Sequence, residues 1–551
     1  MPPLLVVGID GCPPALLDRW VAAGELPALA SLISGGCFTV LRSTPNYQSA
    51  SAWTSIVTGV NPGKHGILHF TNPVHGSYRL AQIDASARRA PTLWRLLSDA
   101  GLRVAALNFP VSYPAEPING VQVAGWLAPT PGAPGFTHPP ELAREIVRGF
   151  GRYPIHPDVR RHALAGSYRA VADLASRAIR HKARVARWLL RRERWDCFGV
   201  VFVETDSVQH WSWRLLDESD PDHDPDLARR AGEVVLQVYR ALDEELSALV
   251  AAAGPDANVI VLSDHGQAAN SGGQVFLRGW LRAAGYLVAR PGQAPGGAGI
   301  RRRVLGALKD ATPRGVKARL VSRFPGLWTR AQRLARGGEA DWSRTRAWTE
   351  TGHIFINLRG VWPEGIVEAG GERDELLAEI TDGLLSLEDV DTGERVVAQV
   401  TRGDEQFSGP CADIMPDLLV HWRNDLRPRA LLWRSPSRGP VTIPRPPNLT
   451  LPTGAHHPDG TLIAAGPAFA SHHRPPAACV YDIAPTALHL LGLPVPSYMD
   501  GQVPAALLTQ EALTGLRTVD VDPFDGTDEA RPGSGDDPAV RARLRGLGYI
   551  E

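Results

Sequence analysis

The sequence has no excess of charge of either sign and no long apolar run. Lys+Arg and Asp+Glu each total 58 in 551 residues, so the formal net charge is zero, which disfavours a nucleic-acid-binding or membrane-surface role that rests on overall charge. No stretch approaches the ~18 apolar residues of a membrane-spanning helix. The first residues, MPPLLVVGIDG, lack the basic start and the apolar length of a signal peptide. We therefore expect a cytoplasmic protein without a membrane span.

Cysteine is also scarce. The five cysteines are scattered, no CxxC motif occurs, and an odd number disfavours a complete disulfide framework. Glycine and proline, by contrast, number 55 and 47, which predicts many loops between short elements. With 44% apolar and 21% charged residues, the chain has the composition of a globular protein and not of a disordered one.

Short apolar runs alternate with helical patterns along the chain. The runs are LLVVGID at residues 4–10, VAALNFP at 104–110, CFGVVFVETD at 197–206 and NVIVLSDH at 258–265. Residues 234–253 instead repeat apolar side chains every three or four positions, as an amphipathic helix does. This alternation predicts an α/β fold with a mostly parallel central sheet, helices on both faces, and inserted cap segments. Ligands of such sheets bind at the carboxyl ends of the strands.

The chain divides into four predicted parts. These are a catalytic α/β core of residues 1–290 and 436–510, a basic helical insertion of 291–345, a mixed α/β insertion or core extension of 346–435, and an acidic linker with a C-terminal docking helix of 511–551. Within the basic insertion, residues 301–336 carry eleven basic residues and one acid, Asp310. A solvated helical insertion explains them, and an arm that touches an anionic substrate, lipid or nucleic acid is the alternative.

Carboxylates and histidines follow three of the predicted strands and occur in one late loop. They are Asp10, Asp206 with His210 four residues later, the adjacent Asp264 and His265, and His456 in GAHHPDG. Each residue alone is equally well explained as a helix cap or a surface group. Together, carboxylate and imidazole ligands suit Zn²⁺ or Mn²⁺. Two such ions about 4 Å apart could clamp the attacking and leaving oxygens of a phosphoryl transfer.

A serine at a predicted helix start is the candidate nucleophile. The segment STPNYQSASAWTSIVTGVNPGKHGI predicts a helix from about Ser49 to Thr58, closed by Gly59. A hydroxyl at the N-terminus of that helix faces backbone N–H groups and the positive end of the dipole, which favour an alkoxide and a bound phosphoryl group. An ordinary N-cap also suits a serine, and local chemistry alone favours the N-cap role over the nucleophile.

Several motifs together resemble a known family. They are VVGIDG, TSIVTGVNPGKHGI, FVETDSVQH, VLSDHG, GAHHPDG and YDIAPTALHLLGLPVP, and they cover most of residues 1–510. The chain resembles the alkaline phosphatase superfamily, and most closely its type I phosphodiesterase/nucleotide pyrophosphatase branch. The resemblance implies an alkaline-phosphatase-like fold and two divalent metal ions, Zn²⁺ in the first place and Mn²⁺ as the alternative.

The resemblance also implies which residues hold these ions. One ion would be held by Asp10, Ser49, Asp264 and His265, and the other by Asp206, His210 and His456. His457 competes for the last place, but the G-x-H spacing from Gly454 favours His456.

The nucleophile of that family is a Thr or Ser nine residues before the Thr of a TG pair. Counting back from Thr58 identifies Ser49, with Ser51 and Thr44 as alternatives. The sequence departs from the branch after HGI, where Phe70 stands in place of an Asn that helps to hold a phosphoryl oxygen. Asn72 and Asn108 are the candidates to replace that Asn, which leaves the substrate open.

The function implied is a metal-dependent phosphodiesterase/nucleotide pyrophosphatase-like hydrolase that acts through a phosphoserine intermediate. Its partner would be a small-molecule phosphate ester or pyrophosphate. A phosphomonoesterase or phosphomutase of the same superfamily is the alternative. A sulfatase is less favoured because no C/S-x-P-x-R motif occurs. A metal-binding protein without activity and a nucleic-acid binder that uses the 301–336 arm are also less favoured. The oligomeric state stays open.

Overall fold

The computed structural model describes residues 2–220, 222–290, 340–435, 438–447, 449–521, 523–524 and 537–547. The predicted basic insertion of residues 291–345 therefore lies mostly outside the described residues, and so does most of the predicted acidic linker.

Strands occur throughout the described parts of the chain. In order they are β1 (Leu4–Ile9), β2 (Cys37–Arg42), β3 (Thr71–Pro73), β4 (Leu80–Gln82), β5 (Val104–Leu107), β6 (Gly120–Val123), β7 (Thr137–His138), β8 (Cys197–Phe202), β9 (Asn258–Leu262), β10 (Gly266–Ala269), β11 (Ala347–Glu350), β12 (His353–Ile356), β13 (Glu388–Asp389), β14 (Val397–Arg402), β15 (Leu418–Trp422), β16 (Ala430–Ser435), β17 (Gly439–Pro444), β18 (Gly454–His457), β19 (Asp459–Ala465), β20 (Ala478–Cys479), β21 (Val495–Pro496) and β22 (Thr518–Val519).

Helices connect these strands. In order they are α1 (Pro14–Ala22), α2 (Pro27–Gly35), α3 (Ser49–Thr58), α4 (Pro62–His65), α5 (Leu93–Asp99), α6 (Glu141–Phe150), α7 (Val159–Leu164), α8 (Tyr168–Arg192), α9 (Glu204–Leu216), α10 (Pro225–Ala231), α11 (Val234–Ala253), α12 (Leu277–Ala284), α13 (Gly371–Leu385), α14 (Ile483–Leu490) and α15 (Pro538–Leu547). Among the described residues, no helix is both long enough and apolar enough to cross a membrane.

A nine-stranded sheet forms the centre of the molecule. Its strand order is β20-β2-β19-β9-β1-β8-β5-β6-β7. The middle strands run parallel, because β1 pairs in parallel with both β8 and β9 and β5 pairs in parallel with β8 and β6. β19 is antiparallel to β2 and β9, and β7 is antiparallel to β6. The predicted fold class, an α/β fold with a mostly parallel sheet, is confirmed.

The sheet is buried on both faces. Alternate side chains of β1 enter two different hydrophobic cores: Leu5 and Val7 pack into a core that includes residues of α8 and α11, whereas Leu4 and Val6 pack into a core that includes residues of α3 and α14. Burial of both faces explains why β1 reads as a continuous apolar run in the sequence.

A second unit packs beside the carboxyl ends of the central strands. It contains a four-stranded sheet in the order β11-β12-β15-β14 and a three-stranded sheet in the order β13-β16-β17. Its own hydrophobic core takes side chains from α12, α13 and these strands, together with Leu68 of the first unit. We call this unit the cap.

The C-terminal helix α15 docks on the first unit. Val540 and Leu544 are fully buried in the core that also contains α3 residues. The Arg543 guanidinium donates hydrogen bonds to the carbonyls of Trp126, Ala128 and Pro129. Two apolar anchors and a guanidinium on three carbonyls therefore fix the helix.

Gly8 in β1 has no room for a side chain. A Cβ atom there would lie 2.3 Å from the Trp53 ring and 2.9 Å from Val201. We expect Gly8→Ala to lower the free energy of unfolding by about 1–3 kcal/mol, as overpacking does. Thermal denaturation measures this, with Gly35→Ala as the control, because a Cβ at Gly35 meets nothing within 4 Å. Equal melting temperatures for the two variants would contradict the prediction.

Candidate functional site

Three neighbouring strands deliver acidic residues to one edge of the sheet. Asp10 directly follows β1, Asp264 follows β9, and Asp206 lies in the first turn of α9 after β8. These three strands are adjacent in the sheet and parallel, so their carboxyl ends meet. All three carboxylates are fully buried at this edge, which we call the catalytic edge.

Helix α3 brings a hydroxyl to the same edge. Ser49 is its first residue, and the Ser49 Oγ atom lies 3.0 Å from His265 Nε2. The two alternative hydroxyls are engaged with one another: Thr44 Oγ1 lies 3.1 Å from Ser51 Oγ, which also donates to Asn46 Oδ1 at 3.0 Å. Of the three candidate nucleophiles, the structure therefore places Ser49 against the histidines.

The late loop supplies its histidine through an antiparallel pair of strands, β10 and β18. His456 Nε2 lies 3.0 Å from His210 Nε2 and 3.6 Å from Asp206 Oδ1. His457, the next residue along β18, points to the other face of the strand, where its Nδ1 accepts a hydrogen bond from the Asp459 amide at 3.2 Å. The structure thus brings His456, and not His457, to the catalytic edge.

The predicted residues form two adjoining groups. In the first group, His265 Nε2 lies 3.5 Å from Asp10 Oδ1 and 3.4 Å from Asp264 Oδ2. In the second group, His210 Nε2 lies 3.1 Å from Asp206 Oδ1, with His456 beside both. The His265 and His456 rings stack with centroids 3.7 Å apart and join the groups. All seven residues predicted from the sequence lie together.

The three histidines share one orientation. Each donates a hydrogen bond from Nδ1 to a backbone carbonyl, because a carbonyl can only accept. The distances are 2.9 Å from His210 to Gly454, 2.8 Å from His265 to Gly266 and 2.9 Å from His456 to Tyr47. The proton on Nδ1 leaves a lone pair on Nε2, which is the arrangement of a metal-binding histidine.

Burial and mutual repulsion oppose ionisation of two of the carboxyl groups. Burial raises the pKa of Asp10 well above its ordinary value, and the charges of Asp264 and Asp206 raise it further. Burial, followed by the charge of Asp206, likewise raises the pKa of Asp264. Such carboxylates need a cation nearby to stay ionised at neutral pH.

The pKa values of two histidines and of Asp206 are lowered, for different reasons. Burial lowers the pKa of His265 to about 4 and, together with the charge of His265, lowers the pKa of His456 well below its ordinary value. Burial acts to raise the pKa of Asp206, but His210, His456 and His265 outweigh it and the net pKa is lowered. The rings of His265 and His456 are therefore neutral, as metal ligands must be.

A divalent cation fits these groups. Around a tetrahedral ion with ligands at about 2.0 Å, the ligand atoms lie about 3.3 Å apart, close to the 3.0–3.6 Å separations at the catalytic edge. Asp10 Oδ1 is buried and accepts no hydrogen bond from any described residue. Buried polar atoms of this kind are costly unless a partner satisfies them.

Two residues that the sequence analysis did not single out support the site. The Trp53 indole donates to Asp10 Oδ2 at 2.7 Å and so orients that carboxylate. Tyr47 offers the carbonyl that holds His456, and its φ of 34° lies in the left-handed region that costs a residue other than glycine about 1–3 kcal/mol. Both residues stand in the segment NYQSASAW beside Ser49, which was the available signal.

A buried ion pair supports the helix that carries Asp206. Lys182 Nζ of α8 lies 2.8 Å from Glu204 Oε1 at the start of α9, and both side chains are fully buried. Lys182 also donates to the Ile155 carbonyl at 3.2 Å. These contacts fix the start of α9 just before Asp206.

The two candidate asparagines are engaged with the backbone. Asn72 Oδ1 accepts from the amides of Leu68 and His69, and Asn72 Nδ2 donates to the Gly66 carbonyl. The Asn108 side chain accepts from the Tyr153 hydroxyl and donates to the Val201 carbonyl. These hydrogen bonds give both asparagines a scaffolding role.

Solved structures with a similar fold include a hydrolase. Phosphonoacetate hydrolase from Sinorhizobium meliloti 1021, in complex with phosphonoformate, aligns with 17% identity and a TM-score of 0.50 over 89% of this chain and 95% of that chain. The same enzyme in complex with phosphonoacetate gives 17% identity and a TM-score of 0.51 over the same shares. Human ectonucleotide pyrophosphatase/phosphodiesterase 5 aligns at 12% identity, with a TM-score of 0.48, over 89% of this chain and 95% of that chain.

A family model describes the chain more directly. The model for type I phosphodiesterase/nucleotide pyrophosphatase matches residues 4–417, which include every residue of the catalytic edge except His456. The match confirms the family resemblance drawn from the motifs. This chain belongs to the type I phosphodiesterase/nucleotide pyrophosphatase family and is a phosphoric ester hydrolase.

Proposed function

We propose that this chain hydrolyses phosphodiester or pyrophosphate bonds of small molecules through a phosphoserine intermediate on Ser49, at a site with two divalent metal ions. The observation that carries the proposal is the placement of Ser49 Oγ, 3.0 Å from His265 Nε2, at the start of a buried helix beside three buried carboxylates. A nucleophilic hydroxyl and a set of metal-type ligands at one sheet edge match the chemistry of phosphoryl transfer.

We assign the ligands in two sets. Asp10, Ser49, Asp264 and His265 would hold one ion, and Asp206, His210 and His456 would hold the other. Bound divalent ions supply positive charge that lowers the pKa of a hydroxyl and neutralises charge on phosphoryl oxygens. Donor sets of oxygen and imidazole nitrogen without thiolate suit Zn²⁺, with Mn²⁺ as the alternative.

The residues of the chain act in two steps. In the first, Ser49 Oγ loses its proton and forms a bond to phosphorus while the bond from phosphorus to the leaving oxygen breaks and that oxygen takes up a proton. In the second, water loses a proton and forms a bond to phosphorus, and the bond to Ser49 Oγ breaks and that oxygen is reprotonated, which releases a phosphomonoester and the free serine. The Gln48 side chain makes no capping hydrogen bond to α3, so first-turn amides of this helix would be able to donate to phosphoryl oxygens.

A substrate panel tests the proposal. The protein would be loaded with Zn²⁺ or Mn²⁺ and assayed on bis-p-nitrophenyl phosphate, p-nitrophenyl phosphate, p-nitrophenyl sulfate and phosphonoacetate. We expect the highest kcat/KM for the diester. A preference for the monoester would support the phosphatase or phosphomutase alternative, and a preference for phosphonoacetate would move the reaction to a carbon–phosphorus bond. Either result would contradict the proposal.

Trp53→Phe tests the support of the first ligand set. The substitution removes the indole N–H that holds Asp10 Oδ2 but keeps a large aromatic ring in the core. Loss of such an orienting hydrogen bond typically weakens metal binding by about 10–100-fold. We expect a larger dissociation constant, and so weaker binding, for one of the two ions in a competition with a chromogenic chelator. Unchanged affinity for both ions would contradict this role of Trp53.

We also propose a cytoplasmic location. All five cysteines are free thiols, four of them are buried, and no disulfide joins them. Free thiols are typical of a reducing compartment.

A further inference from the structure

Helix α8 carries a ladder of arginines on its outer face. Residues 177, 180, 184, 187 and 191 are all arginine, at spacings of three and four that place them along one side of the helix. At about 1.5 Å per residue the ladder extends over about 21 Å. The opposite face of α8 packs into the hydrophobic core with α11.

Two of these five arginines form ion pairs with the neighbouring helix α11. Arg180 pairs with Glu244 at 3.2 Å and Arg187 pairs with Glu245 at 2.6 Å, both on α11. Arg184 and Arg191, both exposed, form no ion pair with any residue that the structure describes. Arg184 and Arg191 therefore carry positive charge that no ion pair with a described residue compensates.

The uncompensated arginines border a surface hollow of about 520 Å³, which we call the arginine hollow. It is lined by Phe150, Arg184, Arg187, Trp188, Arg191 and Arg192. No acidic residue lines it, although Arg192 pairs with Glu145 at 2.5 Å nearby. The Phe150 and Trp188 rings lie 5.5 Å apart, and the Arg192 guanidinium lies over Trp188 at 5.4 Å.

Helix electrostatics alone do not explain the arginine hollow. Cations in the last turn of a helix interact favourably with its dipole, which accounts for Arg191 and Arg192. Arg184 lies two turns earlier, where this effect has faded. Phe150 and Trp188 are partly buried and pack against the hydrophobic core, which accounts for the two rings. A binding role explains Arg184, which the helix dipole does not.

The arginine hollow is remote from the catalytic edge. α8 ends at Arg192 and leads into the amino end of β8 at Cys197, whereas Asp206 follows the carboxyl end of that strand. The length of β8, about 20 Å, separates the two ends. A ligand in the arginine hollow is therefore not a substrate poised at Ser49.

We propose that the arginine hollow binds an oligophosphate anion, either inorganic or as the phosphate chain of a nucleotide. Guanidinium groups form bidentate, charge-assisted hydrogen bonds with phosphate oxygens. Arg184 and Arg191 supply guanidinium donors that form no ion pair with a described residue. Arg187 and Arg192 line the same hollow with charges already paired to Glu245 and Glu145, and the exposed parts of Trp188 and Phe150 border it. The site binds and performs no chemistry.

Calorimetric titration with inorganic tripolyphosphate tests the proposal on the metal-loaded Ser49→Ala protein, because the active enzyme would hydrolyse a titrant that contains pyrophosphate bonds. The same substitution is the background of both variants below. The test variant is Arg184→Glu with Arg191→Glu. The control variant is Arg169→Glu with Arg177→Glu, which changes the same charge on the same helix but outside the arginine hollow. Both variants keep the catalytic edge, so ligand binding or metal withdrawal there contributes equally to both.

We expect the test variant to bind tripolyphosphate at the arginine hollow about tenfold or more weakly than the parent protein does. The dissociation constant of the control variant should change by less than about twofold. With Ser49 present, both pairs of substitutions should retain wild-type turnover of bis-p-nitrophenyl phosphate, which shows that they fold. A parallel titration with ATP distinguishes the two sources, since tighter binding than tripolyphosphate indicates a nucleotide. Equal losses in both variants, or no loss in either, would overturn the proposal. So would selective retention of a single-stranded RNA oligonucleotide without tripolyphosphate binding.

Discussion

Ser49→Ala is expected to lower kcat for diester hydrolysis by about 10³-fold or more, because it removes the atom that bonds to phosphorus. The Ser49 side chain is fully buried at the start of α3, so alanine fits without a new contact. The measurement is the steady-state rate on bis-p-nitrophenyl phosphate with saturating metal. A second readout is the pre-steady-state burst of p-nitrophenol, which the wild type should show if hydrolysis of the phosphoserine is slow and which the variant should lack.

Ser51→Ala is the matched control for this substitution. Ser51 lies two residues away on the same helix. Its hydroxyl donates a hydrogen bond to Asn46 Oδ1 and contacts the Thr44 hydroxyl, not the histidines. We expect its kcat to stay within about threefold of the wild type, since only a scaffolding hydrogen bond is lost. If Ser51→Ala abolished turnover while Ser49→Ala retained more than a tenth of it, the nucleophile would be misassigned.

Removal of the metal ions is expected to abolish activity and to lower the melting temperature. Without cations, the buried carboxylates of Asp10, Asp206 and Asp264 repel one another, and burial disfavours their charged forms. An ion that binds only the folded state stabilises it by about 2.7 kcal/mol when its free concentration exceeds Kd a hundredfold. Differential scanning fluorimetry before and after dialysis against a chelator measures the shift, and added Zn²⁺ or Mn²⁺ should restore it.

Asp10→Asn should be less stable than the wild type with metal present and at least as stable as the wild type after chelation. With metal supplied, the variant should melt below the wild type, because it binds one ion poorly. After chelation it should melt at or above the wild type, because the amide needs neither a buried charge nor an added proton at this position, while an oxygen remains to accept from Trp53. An Asp10→Asn protein that kept both ions and full turnover would contradict the ligand assignment.

Much of the architecture follows from local pattern. Continuous apolar runs that end in an acid predict parallel strands whose carboxyl ends meet, and this places Asp10, Asp206 and Asp264 together without knowledge of any contact. The helix over Ser49–Thr58 and its Gly59 end match the predicted bounds, because Gly59 adopts the left-handed conformation, φ 72°, that closes helices.

Other features depend on contacts between distant segments, and no local pattern encodes them. The bond from Trp53 to Asp10 joins residues 43 positions apart, and the bond from His456 to the Tyr47 carbonyl joins residues 409 apart. Family spacing favours His456 over its neighbour, whereas the physical cause is the register of β10 against β18. The arginine hollow needs Phe150 of α6, which only the folded structure brings near α8.

The position of β19 in the central sheet has a consequence for folding during synthesis on the ribosome. β19 separates β2 from β9, and Asp459 of β19 pairs with Arg42 of β2 across 417 positions of sequence. At about 5–20 residues per second, β2 leaves the ribosome roughly 20–80 s before its partner is made. Until β19 is made, its partner edge on β2, and from residue 262 onward also that on β9, is unpaired and exposed to other chains. His456 lies just before β19, so the nascent chain acquires its last predicted metal ligand as the central sheet becomes able to close.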